Sequence, residues 1–204
     1  DTERGNIGVH AVHLYSPKLK LLGGITAGSA ESGGTSGRAQ IDGSDVRYSV
    51  GAEGEFAPKV TGEVNVGYTH RDLDRLGDTG TLYLMSRVSW QAAEKTLLSL
   101  VGSRDFGVSA ADQSFISTRF AVELTQRFSE KVVVDGSLGL DSARYTGGTG
   151  PRDDDAVVVR GRMTYVLRDD TSLEVSAGYR DNDSTELRAN YDRVNVGAAV
   201  LFRF

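Results

Sequence analysis

Charged residues recur at every second position along much of this 204-residue chain, and they are the residues with the most chemistry to offer. Arg47, Glu53, Glu55, Glu63, Arg87, Arg119, Glu123, Arg127, Asp135, Asp141, Arg160, Arg162, Arg168, Glu174, Arg180, Arg193 and Arg203 each alternate with apolar neighbours. A period of two puts such residues on one face of a β-strand. Two kinds of chemistry follow. Acids and bases on adjacent strands pair and fill the space above the sheet. Alternatively Arg160, Arg162 and Arg168, which share a strand, form a ladder that attracts anionic solutes or acidic sugars.

Other candidate chemistry is thinner. Asp153, Asp154, Asp155, Asp181 and Asp183 could offer oxygens to calcium, but they lack an Asp-x-Asp-x-Asp-Gly spacing and read as solvated loops. No metal site and no cofactor is expected. The three histidines are His10, His13 and His70. The first two fall on opposite strand faces, and no G-x-S-x-G or H-E-x-x-H motif occurs, so no enzyme is expected. The chain has no Cys and hence no disulfide framework or thiolate site. A formal net charge of -5 argues against a nucleic-acid partner.

The elements carrying these residues are strands throughout. Alternation marks them at 6–15, 19–29, 46–56, 60–70, 81–90, 96–106, 115–128, 132–142, 157–167 and about 173–180, with a last one running to Phe204. Short turns at Ser16-Pro17-Lys18, Ala57-Pro58-Lys59, Ala92 to Lys95, Ser129-Glu130-Lys131 and Asp169-Asp170 alternate with long loops at 31–45, 71–80, 107–113, 143–155 and 181–192. A short extra strand at Arg38 to Ile41 would raise eleven to twelve. Strands of ~9–11 residues suit a tilted membrane crossing, and globular strands average nearer ~5–6. Alternating short and long connections is the arrangement of an outer-membrane barrel, with short turns periplasmic. A mean hydropathy of -0.29 does not oppose this, because only alternate residues would face lipid.

Aromatics reinforce the pattern. Tyr15, Phe56, Trp90, Phe128, Tyr165, Phe202 and Phe204 end the strands that run into the short turns. Tyr48, Tyr68, Phe106, Tyr145 and Tyr179 lie nearer the long loops. Two such girdles are expected where rings sit at lipid headgroups. The last strand places Val196, Ala198, Val200, Phe202 and Phe204 on one apolar face and resembles the assembly signal of outer-membrane barrels.

Arg152-Asp153-Asp154-Asp155, the Val/Arg-alternating strand to Tyr165, Leu173 to Arg180, Asp183-Ser184, Asn190 to Val194 and the closing Phe together resemble the C-terminal half of the putative β-barrel porin 2 family of Gram-negative outer membranes. The likeness is most specific over residues 150–204. It implies an association with envelope exopolysaccharide systems.

The expectation is an all-β, antiparallel transmembrane barrel of about 11–12 visible strands in the bacterial outer membrane, as a single domain over residues 1–204, with a periplasmic C-terminus. An odd strand count with an exterior start predicts that it is the C-terminal portion of a larger barrel or one chain of a composite one. The expected function is a porin-like conduit for polar solute, with exopolysaccharide export as one form. The alternatives are a structural anchor that docks periplasmic or surface partners, and a surface-loop receptor or adhesin. Expected partners are outer-membrane lipid, lipopolysaccharide, the outer-membrane assembly machinery, and further barrel strands or a periplasmic export component.

Overall fold

The computed structural model describes residues 2–32, 43–73, 77–108, 114–146 and 151–203. They form eleven strands: β1 (Thr2–Ser16), β2 (Leu19–Ser32), β3 (Gly43–Ala57), β4 (Val60–Leu73), β5 (Gly77–Ala93), β6 (Thr96–Val108), β7 (Ser114–Arg127), β8 (Val132–Thr146), β9 (Arg152–Arg168), β10 (Thr171–Ser184) and β11 (Tyr191–Phe202). A single 3-10 turn, Leu187–Ala189, precedes the last strand. The strands make one antiparallel sheet in chain order, each paired with its sequence neighbours. The extra strand envisaged at Arg38–Ile41 lies outside the described residues.

Alternation decides which face is which. The register aligns Val88, Leu100, Val122, Leu138, Val159, Tyr179 and Val194 as one row across seven strands. Members of that row such as Leu100 and Val194 are 56% and 66% exposed. The opposite parity carries the charge. That charged face is concave. Arg47 on β3 meets Asp105 on β6, three strands away, a span on the order of 14 Å in a flat sheet at ~4.8 Å per strand. Two side chains meet across that span because the sheet curves toward them.

No hydrophobic core lies beneath the apolar face. Among the described residues the buried apolar ones are Ala156 and Val158, and both sit on the concave side. A water-soluble protein does not leave so continuous an apolar surface uncovered, since contiguous exposed patches on monomers rarely exceed ~600 Å². A bilayer covers it at no such cost.

The strands run farther than alternation suggests, chiefly toward the long loops, although β5 also runs on to Ala93 and β10 starts at Thr171 on the short-turn side. β8 reaches Thr146 and β9 starts at Arg152, so most of the expected 143–155 loop is strand. β10 likewise continues to Ser184 and β11 begins at Tyr191, well inside the expected 181–192 loop. The expected loops at 31–45, 71–80 and 107–113 shorten in the same way, because β2, β4 and β6 run on and β3, β5 and β7 start early. The extensions are polar on both faces, as Asp154 and Asp155 illustrate, so period-two hydrophobicity fades while the backbone ladder continues. One ladder stops early. β5–β6 pairing ends at Leu84–Arg104 although both strands go on. There Arg104 donates to Thr81 Oγ1 at 3.3 Å and Thr118 Oγ1 at 2.7 Å, holding the splayed strands together.

One turn-side position depends on glycine. Gly54 has φ +138, and a Cβ there would lie 2.0 Å from the Lys18 carbonyl oxygen. That same carbonyl accepts a 2.9 Å hydrogen bond from the Glu55 amide. Gly54→Ala is therefore expected to destabilise the folded barrel by more than ~1 kcal/mol, read as an earlier midpoint in urea unfolding. An unchanged midpoint would refute the close approach.

Candidate functional site on the concave face

The register places Arg47, Glu53, Glu55, Glu63, Arg87, Arg119, Glu123, Arg127, Asp135, Asp141, Arg160, Arg162, Glu174, Arg180 and Arg193 on the concave face. Arg168 sits at the bulge before the β9–β10 turn and Arg203 just past the end of β11.

Most of these charges are engaged. Asp141 is the hub: Arg119 donates to both its oxygens at 2.6 and 3.0 Å, and Arg180 adds a bond at 2.7 Å. Its side chain is only 14% exposed, so the two guanidiniums offset a real desolvation cost. Arg87 reaches over β6 to grip Glu123 at 2.6 and 3.3 Å. Arg162 lies 3.5 Å from Glu174. Nearer the short turns Lys18 pairs with Glu55 at 2.6 Å and Lys20 with Glu53 at 3.7 Å. Exposed pairs of this kind contribute only ~0–1 kcal/mol each, so their main effect is to fix side-chain positions.

Several participants escape a reading by charge alone. Asp105 falls on the polar parity of β6 with Ser99 and Ser103, a signal that alternation carries. Tyr83 receives the Arg47 guanidinium 4.2 Å from its ring centroid. Tyr191 accepts a 3.1 Å hydrogen bond from Arg180 and lies beneath Arg193. Tyr145, expected in the upper girdle, instead faces the concave side. It packs on Phe115 at 5.2 Å and under Arg152 at 4.8 Å. By contrast Tyr15, Phe56, Trp90, Phe128, Tyr165 and Phe202 are all exposed, and the side chain of Phe204 lies outside the described residues. Val196, Ala198 and Val200 share the apolar face of β11 with Phe202.

The aspartates at the long-loop end do not converge. Asp154 points inward to Arg152 and Ser184, while Asp153 pairs with Arg144 at 3.2 Å. Asp155 stands opposite Asp183 on the outer face. No group able to hold a metal ion occurs among the described residues. His10 lies on the concave face and His13 on the apolar one, and His70 is 3.9 Å from Asp78.

Three arginines of the concave face stand apart. Among the described residues Arg127 and Arg160 have no carboxylate partner, and Arg193 has only the Tyr191 ring, 5.6 Å from its guanidinium. Asp135, directly opposite Arg162, accepts from Thr125 instead at 2.7 Å.

A curved sheet with an apolar outer face and a charged inner one is the wall of an outer-membrane barrel, and comparison with known families agrees. Residues 31–204 match the putative beta-barrel porin 2 family. The chain belongs to that family. No curated protein matches it. Among solved structures it is similar to in-vitro folded OmpT, an outer membrane protein of Vibrio cholerae, with 11% identity, 98% of this chain and 89% of that one covered, and a TM-score of 0.50. It is also similar to the NanC porin, with 13% identity, 100% and 97% coverage and a TM-score of 0.44. At such identities the likeness concerns the fold. This member of the family is a porin-like outer-membrane barrel protein, and its eleven antiparallel strands supply the wall.

Proposed function

We propose that this protein is a non-catalytic conduit for polar solute across the outer membrane, and that a charged polysaccharide leaving the cell is one such solute. The observation that supports this is the concave face itself: a water-compatible surface that keeps free cations after its internal pairs are made. The asymmetry of connections supports an orientation with short turns and the C-terminus in the periplasm. Further strands complete the barrel in this reading. Lipid, lipopolysaccharide and the assembly machinery are its partners during insertion and afterwards. If the completed barrel reaches ~16 strands, an aqueous channel is geometrically available.

A second reading is favoured by one feature. Arg47, Tyr83 and Asp105 meet above β4 and β5 and narrow the space there, as a closed structural anchor requires. Swelling of liposomes containing the purified full-length protein separates the two. Entry of a small neutral sugar is expected for the conduit. Absence of entry, with the protein shown to be folded by heat-modifiable mobility on a gel, would leave the anchor.

A further inference from the structure

We propose that Arg160 and Arg193, with Arg162 beside them, form a binding site for an acidic saccharide on the concave face of β8 to β11. This rests on the conduit reading and names the class of solute it favours.

The site is built by residue size as much as by charge. Next to the two arginines of β9, the concave positions of β10 and β11 are Ser176, Gly178 and Gly197, with Asn195 between. The stem of Arg160 lies across Gly178, where a Cβ would stand 3.8 Å from its Cγ. A run of larger side chains here would fill the face. Small ones instead leave a trough of about 570 Å³, lined on its concave side by Asp135, Ser137, Arg160, Arg162, Ser176 and Asn195, and Arg193, the next concave position of β11 after Asn195, stands beyond that lining toward the long loops. That volume lies within the ~300–1,000 Å³ of small-molecule sites.

Charge selects the ligand. Of the nearby acids, Glu123 is paired by Arg87, Glu174 by Arg162 and Asp141 by Arg119 and Arg180, while Asp135 accepts from the neutral Thr125 hydroxyl and stands opposite Arg162 rather than Arg160. The positive charge of Arg160 and Arg193 is thus left for something outside the chain. A guanidinium fork matches a carboxylate or a phosphate. Ser137, Ser176, Asn195 and the remaining oxygen of Asp135, Oδ2, supply donors and acceptors that a bare inorganic anion would not use and sugar hydroxyls would.

The test is swelling of liposomes carrying the full-length protein, in glucose, glucuronate and glucose 6-phosphate. Wild type is expected to admit glucuronate at least as fast as glucose. Arg160→Gln with Arg193→Gln should slow glucuronate on the order of tenfold and leave glucose unchanged. Lys95→Gln with Lys131→Gln, an equal loss of charge at two exposed turns, should alter neither. Slowing of glucose 6-phosphate alone would make the ligand a phosphorylated sugar, and slowing of both acids a sugar of either anionic kind. Equal effects on glucose and the acids, or no effect, would overturn the site. If wild type admits no sugar at all, the conduit reading falls and binding decides the site. Retention of a galacturonate oligomer by folded wild type, and its loss in the double variant, would uphold it. Equal binding by both would overturn it.

Discussion

Leu138→Arg is expected to lower the stability of this protein in a bilayer by ~2–4 kcal/mol, the penalty for a charged residue on the lipid face near the midplane. Ser137→Glu, one residue earlier, is expected to leave stability unchanged or raise it by a few tenths of a kcal/mol, on the order of a cross-strand ion pair. The contrast follows from the register. Leu138 is 54% exposed and sits between Val122 and Val159 on the apolar face. Ser137 faces the other way, directly opposite Arg160, whose guanidinium lacks a carboxylate partner among the described residues. A glutamate there would give it one. Urea unfolding from phospholipid vesicles reads both. Trp90, the only tryptophan in the sequence, is half exposed on the apolar face and reports loss of lipid contact. An unchanged midpoint for Leu138→Arg would mean that the apolar face does not meet lipid, and a loss for Ser137→Glu as large as that for Leu138→Arg would mean that the opposite face is not wet.

The two faces were legible in the sequence because alternation is a local property: Val46, Tyr48 and Val50 against Arg47, Ser49 and Gly51 need no knowledge of the partner strand. The strand ends were not. Beyond the apolar band Asp181 and Asp183 are as polar as their neighbours, and nothing in the composition separates a solvated strand from a loop. Tyr145 misled for a related reason: at the upper rim an aromatic fits either face, and its contact with Phe115 depends on register. Ion-pair partners were the least legible. The register puts Glu63 directly opposite Arg87, which is the pair that sequence neighbours would suggest. Arg87 instead crosses β6 to Glu123, and Asp141 gathers arginines from β7 and β10. Curvature brings those groups together, and curvature is a property of the whole sheet. Hence the freedom of Arg160 and Arg193 becomes visible only once all the other partners are assigned.

Cysteines placed on β1 and β11 are expected not to form a disulfide with each other. In an antiparallel sheet taken in chain order, β1 and β11 run in the same direction. Joining them directly would need a parallel pair, which bacterial single-chain barrels with even strand numbers do not contain. A second copy inserted the same way does not help, because its β1 would also run parallel to the first copy's β11. An odd number of further strands, one at the least, is what brings the two edges into antiparallel register with a neighbour. The sequence has no native cysteine, so the measurement is clean. Glu174→Cys with Ala199→Cys, directly opposite on β10 and β11, should cross-link and calibrates the assay. Ala199→Cys combined in turn with Gly8→Cys, His10→Cys, Val12→Cys or Leu14→Cys samples four successive concave positions of β1, those nearer its short turn, and should not. Protein taken from outer membranes should then run, unheated, as a heat-modifiable species containing more polypeptide than these 204 residues. A β1–β11 disulfide, or a compact species of these residues alone, would instead mean a self-closed barrel with one parallel seam. Its lumen would be that of an eleven-stranded ring, narrow enough for Arg47, Tyr83 and Asp105 to occlude, and the anchor would then be the better account of the protein.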